Sequence, residues 1–270
     1  MGFLYDVINQ TFMRNAVAAV FMSGLACGIT GTFVHIKKIG IISGGIAHAV
    51  LAGVGAARFF GINPVAGAVF TAFLFAIILT LIKVEFGEAE DVVLSALWSA
   101  GMASGIVFLH FTPGYATDLM SYLFGNIMMV SQKDLFYLAM LDFFVVGIAV
   151  FFFRHLKALC FDAEHLILRG ISAFVVYGVF YTLISLTVVI LMQIVGLLLV
   201  IAFLTLPAAI SSLYFRNIST VMLFAVIISI LLMLTGLYIS YFLDVPAGAV
   251  TILLTVSAYI LNVFFKSDRQ

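Results

Sequence analysis

Charged side chains are scarce in this chain: twelve Lys or Arg and twelve Asp or Glu make up 9% of 270 residues, and they cancel. A chain so poor in charge, with no basic tail and no net positive balance, offers nothing to a phosphate backbone, so nucleic acid is excluded as a partner. Cysteine is nearly absent as well. Cys27 and Cys160 stand far apart and form no CxxC pair, which excludes a thiolate metal site and a disulfide framework and leaves them as packing residues. Only four prolines interrupt the chain, no Pro- or Ser-rich linker is visible, and residues 1–270 read as a single domain. Several chemical signatures are missing too. No lysine follows the glycines of a phosphate-binding loop, so the chain holds no ATPase of its own, and neither HExxH nor GxSxG occurs. We therefore expect no enzyme activity and no cofactor bound by this chain.

Apolar residues fill the space that charge leaves. They make up 65% of the chain, with a mean hydropathy of +1.29, far above the roughly 45–50% of soluble domains. A hydrocarbon core of ~30 Å needs about 20 helical residues to cross it, with every backbone polar group bonded inside the helix. On that measure the chain is an all-α polytopic membrane protein of about eight or nine transmembrane helices. The spans fall near 13–34, 40–58, 62–82, 92–111, 134–153, 170–191, 194–213, 219–242 and 247–265. Only Gln193 separates the pair covering 170–213, so eight spans plus a broken helix is the alternative. The first apolar run is a retained helix rather than a cleaved signal peptide, because it is about twenty residues long.

Loop charge sets the orientation. With the N-terminus outside, Lys37, Lys38, Lys83, Arg154, Lys157, Arg169, Arg216, Lys266 and Arg269 lie in the cytoplasm, and only Arg14, Arg58 and Lys133 lie outside. The expected topology in the cell (inner) membrane is N-out, C-in. Residues 112–133 read as a short helix on or dipping into the outer surface. Residues 154–169 form the main cytoplasmic loop, with Leu156, Leu159, Leu166 and Leu168 as an apolar side for docking a partner.

The run GIISGGIAHAVLAGVG, residues 40–55, carries the sharpest functional signal. Gly45, Ala49, Gly53 and Ala57 form one ridge that lets a neighbouring helix approach closely, and His48 lies beside it at mid-depth. An imidazole in lipid either lines a translocation path or hydrogen-bonds a neighbouring helix. Asp142 is the one carboxylate placed well inside the membrane, unless its span is misregistered and it lies nearer the surface. Gln193, Gly196, Val200, Phe203 and Pro207 fall on one face of the seventh span, and Pro207 kinks it.

Five stretches in order, GTFVHIKKIGIISGGIAHAVLAGVG, DLMSYLFGNIMMVSQKDL, FDAEHLILRGI, VGLLLVIAFLTLPAA and DVPAGA, resemble the membrane permeases of zinc-, manganese- and iron-uptake ABC transporters, over about residues 24–264. The resemblance implies a type II ABC-importer-like permease that works as two copies in membrane lipid. It pairs with cytoplasmic ATP-binding subunits, which hold the ATP, and takes a divalent cation from an extracytoplasmic metal-binding protein. Phe161, Asp162, Glu164 and Gly170 are implied as contacts to the ATPase, and the stretch from Pro207 through Arg216 to Asn217 as a second. The family's histidine falls on His48. An aspartate often stands four residues before it, where this chain has Gly44, so Asp142 and Asn126 are the candidates for a second ligand. The competing classes are a proton-coupled secondary transporter using His48 and Asp142, and a non-transporting membrane scaffold for which the glycine ridge is only an assembly interface.

Overall fold

Lipid offers the backbone no hydrogen-bond partner, so a chain this apolar folds into helices. The structure, a computed structural model, describes residues 3–86, 90–112, 125, 127–194, 196–197 and 200–267. Twelve α-helices occur among them: α1 Phe3–Asn9, α2 Thr11–Lys37, α3 Gly40–Phe59, α4 Pro64–Phe86, α5 Glu90–His110, α6 Gln132–Phe151, α7 Phe153–Phe161, α8 Ala163–Leu168, α9 Ala173–Ile194, α10 Val200–Tyr214, α11 Ile218–Leu243 and α12 Ala247–Ser267. Eight of them are long and apolar enough to cross a membrane: α2 to α6, α9, α11 and α12. The remaining expected span, the seventh in order, is α10, whose 15 residues reach only about 22 Å at 1.5 Å per residue. That is the broken-helix alternative. The break falls later than Gln193: α9 runs on to Ile194, and Gly196 takes φ +91, a left-handed conformation that glycine adopts without strain. Gln193 and Gly196 therefore do not continue the face of Val200, Phe203 and Pro207.

Several hydroxyls buried in these helices satisfy themselves locally. Ser23, Thr32, Thr80 and Thr187 each donate to the carbonyl four residues back, at 2.6–2.9 Å, so none needs water. Ser131 caps α6 with a reciprocal box. Its hydroxyl accepts from the Asp134 amide, and the Asp134 carboxylate accepts from its backbone N–H.

The long helix α2 is the hub, packing on α6, α9, α10 and α11. Gly24 and Gly28, four apart, make its contact with α11. A Cβ at Gly28 would lie 2.3 Å from the Val226 backbone nitrogen, so only glycine lets the two backbones meet there. Pro207 cannot donate to the carbonyl of Phe203, four residues before it. The Cys27 thiol, from α2, donates to that carbonyl at 2.9 Å. The two ends of α10 are thus held by different neighbours, because Lys266 of α12 donates to the Leu213 carbonyl and Tyr214 bonds Asn262.

Helix ends sort onto two faces. His35 near the end of α2 bonds Ser212 near the end of α10, and the end of α12 joins them, so these three termini share one face. α1 lies at the other end of the bundle: Asp6 accepts from Tyr241 near the end of α11, and Phe3 packs edge-on against Tyr238. The loop helix expected within 112–133 lies largely outside the described residues; within them a 3₁₀ turn at Ile127–Met129 is seen.

The loop after α6 is itself helical, in two short pieces. Asp162 takes an extended conformation and splits it into α7 and α8. Leu156, Leu159 and Leu166, expected as a side for docking a partner, are instead buried in the core of this chain, and of the four only Leu168 is exposed, at 85%. Leu166 and Leu168 stand two residues apart on α8, about 200° round the helix, so burying the first turns the second outward. Burial pushes the Cys160 thiol in α7 up to about 11, against the opposing effect of the Lys37 ammonium. Cys160 is therefore expected to react with N-ethylmaleimide at pH 8 on the order of 100-fold more slowly than an unperturbed thiol. A rate equal to that of a free thiol would show the segment open to water.

Candidate functional site

The site starts from how closely α3 can be approached. On one flank Gly45 meets the side chain of Leu94, and Ala49 touches α5 where a Cβ on Gly101 would come within 2.5 Å of its Cα. On the other flank Gly53 meets α4, where a Cβ would fall 2.3 Å from the Gly67 carbonyl oxygen, and Ala57 lies against the same glycine. The small residues thus serve two neighbours, α5 through the first half and α4 through the second.

Between these contacts His48 is 6% exposed. Its Nδ1 lies 2.7 Å from the carbonyl oxygen of Gly44. A carbonyl can only accept, so Nδ1 carries a proton, and in the neutral ring the lone pair is then on Nε2. Trp98 of α5 covers the ring, with centroids 4.5 Å apart at 32°. The ring is thus fixed in orientation with Nε2 turned away from the Gly44 bond, the arrangement in which a neutral histidine ligates a divalent ion. This is why the position matters chemically, beyond its depth in the bundle.

The other predicted ligands are not gathered around it. Asp142 is buried on α6, 6% exposed, with Oδ1 lacking a hydrogen-bond partner among the described residues. Its helix packs on α2, α7 and α9, whereas α3 packs chiefly on α4, α5, α9 and α10. Asn126 lies outside the described residues. Among the described residues no three His, Cys, Asp or Glu side chains come together to hold an ion.

The residues expected to meet a motor lie at the surface. Phe161 is 70% exposed at the end of α7, Asp162 and Glu164 are exposed beside it, and Gly170 turns the chain with φ +81. Arg216 is exposed between α10 and α11, next to the stacked rings of Phe215 and Phe224. Pro207 is buried within α10.

Sequence reasoning missed three contributors. Gly24 and Gly28 were legible as a small-xxx-small pair. Trp98 carried no local signal, because only the approach of α5 to α3 brings it over His48.

Comparison with known proteins agrees with this architecture. The chain is 34% identical to the "Probable metal transport system membrane protein" of Chlamydia trachomatis, over 93% of this chain and 88% of that one. It is 30% identical to the manganese transport system membrane protein MntC of Halalkalibacterium halodurans, over 100% and 92%. Among solved structures it superposes on PsaBC from Streptococcus pneumoniae in complex with Fab, with a TM-score of 0.87 and 27% identity over 96% of this chain and 94% of that one. The ABC 3 transport family matches residues 9–266. The chain belongs to that family and is a multi-pass permease of the metal-transporting ABC class.

Proposed function

We propose that this chain forms the membrane passage of an importer for a divalent cation, with manganese as the leading candidate and zinc and iron as the others. The observation that carries the reading is His48, a buried imidazole whose proton is committed to Gly44 and whose Nε2 lone pair is left for a cation. The relative named for manganese transport supports the choice of ion. Energy comes from a separate ATP-binding subunit, since the sequence holds no phosphate-binding loop. Phe161, Asp162, Glu164, Gly170 and Arg216, all exposed, form its docking face. Two copies complete the passage, and the open side of α5, where Ala96, Ser99 and Ala103 are small and exposed, suits close helix contact with a second chain. An extracytoplasmic binding protein delivers the cation. Nine Lys and Arg against three favour N-out, C-in, which puts the docking face in the cytoplasm.

The test is accumulation of manganese, zinc or iron in proteoliposomes. We expect uptake against a gradient only when chain, ATP-binding subunit and ATP are all present. Accumulation by the lone chain on a proton gradient would overturn the reading in favour of a secondary transporter, and no movement of any of the three ions would overturn it in favour of a scaffold.

A further inference from the structure

Where α2 gives way to α3, an open cleft of about 410 Å³ is lined by His35, Lys38, Gly40, Thr205 and Ser212 among others. Its polar groups are preorganised: Nε2 of His35 and Oγ of Ser212 are 2.9 Å apart. From this cleft a seam between α3 and α10 leads inward in steps of one helical turn. At the first step Gly40 faces Thr205, whose Cγ2 would lie 2.8 Å from a Cβ on the glycine. At the second, Gly44 faces Ile201, and a Cβ on Gly44 would fall 2.1 Å from Cδ1 and 2.6 Å from Cγ1. At the third stands His48, bonded back to the Gly44 carbonyl. The spacing of four residues keeps Gly40, Gly44 and His48 on one face of α3.

The geometry points to Ile201 as an apolar plug between His48 and the cleft. Its δ-methyl occupies the volume that any side chain at position 44 would need, so it lies directly on the α3 backbone because Gly44 is bare. Ile201 is only half-buried, which leaves room for its side chain to turn to another staggered position. An apolar constriction of this kind excludes water, and with it a hydrated ion, until the side chain moves. Beyond the plug, His35, Ser212 and Thr205 offer nitrogen and oxygen groups to a cation regaining its water. Lys38 brings positive charge to the same cleft, so a divalent ion there is released rather than retained. The inference rests on the proposed transport reading for the identity of what passes, while the barrier itself can be measured without any transported ion.

The experiment uses the full chain with its ATP-binding subunit in membrane vesicles, carrying Cys27→Ser and Cys160→Ser. A water-soluble cationic methanethiosulfonate is applied from the face on which α2 ends. With His48→Cys as reporter, modification is expected to be slow beside Ile201, faster by about tenfold with Ile201→Ala, and slower still with Ile201→Phe. With Thr205→Cys as reporter, modification should be fast and equal in all three, so that a substitution at 201 acting on α10 as a whole would show itself here. Equal rates at His48→Cys whatever stands at 201, or protection of Thr205→Cys, would overturn the plug. Failure of the uptake assay with these rates intact would instead count against the transport reading.

Discussion

His48→Ala, reconstituted with the ATP-binding subunit, is expected to lose cation uptake by at least ~10–100-fold, the scale on which even partners of a metal ligand act, while inserting and assembling normally. The two halves of this expectation have separate causes. Structurally, His48 contributes one hydrogen bond to Gly44 and one ring contact with Trp98, and a neutral hydrogen bond is worth only ~0.5–1.5 kcal/mol net. Functionally, it supplies a fixed nitrogen lone pair at mid-depth, and the described residues offer no three-ligand cluster to take over. Uptake and thermal stability in detergent, measured on the same preparation, separate the two. Normal uptake by a normally assembled His48→Ala chain would remove the imidazole from the passage.

Glycine replacements are expected to sort by what each new side chain meets. Gly28→Leu drives a side chain into the backbone of Val226, with Cα only 2.4 Å from the new Cβ. Because α2 is the hub, forcing it from α11 should cost at least the ~1–3 kcal/mol of ordinary overpacking and empty the folded fraction after purification. Gly45→Leu meets the flexible end of Leu94 and should be milder. Gly147→Leu, with nothing within 4 Å of its Cβ, should stay within about 0.5 kcal/mol of the parent. Thermal midpoints for the three variants check the order, and a Gly28→Leu chain as stable as Gly147→Leu would contradict the packing of α2 on α11.

Much of this fold can be read from the residues because lipid imposes one rule everywhere. Apolar runs of helical length became helices, with most bounds shifted by a few residues, as in Pro64–Phe86 and Ile218–Leu243. Where the chain leaves that rule, reading was harder. Gln193 is the polar residue that a hydropathy scan marks, yet the helix stops at Ile194 because Gly196 adopts a backbone conformation that composition does not reveal. The leucines of the loop looked like a side for a partner, yet the bundle of this chain covers three of them and leaves only Leu168 outside. The site was legible only where one helix carries it. His48 and its small neighbours are contiguous, but Trp98 and Ile201 are distant in sequence and reach α3 through tertiary packing. Asp142 shows the converse, since depth alone said nothing about which helices would face it.

The proline in α10 has a mechanical consequence. A thiol is a weak donor, so the carbonyl of Phe203 is tethered more loosely by Cys27 than an amide would hold it, and the rod is softest at that point. Beyond it the helix is riveted to α12 through Leu213 and Tyr214. A push applied at the Arg216 turn would therefore spend itself as flexure at Phe203, tilting the short arm that carries Ile201 while the rest of α10 keeps its seat.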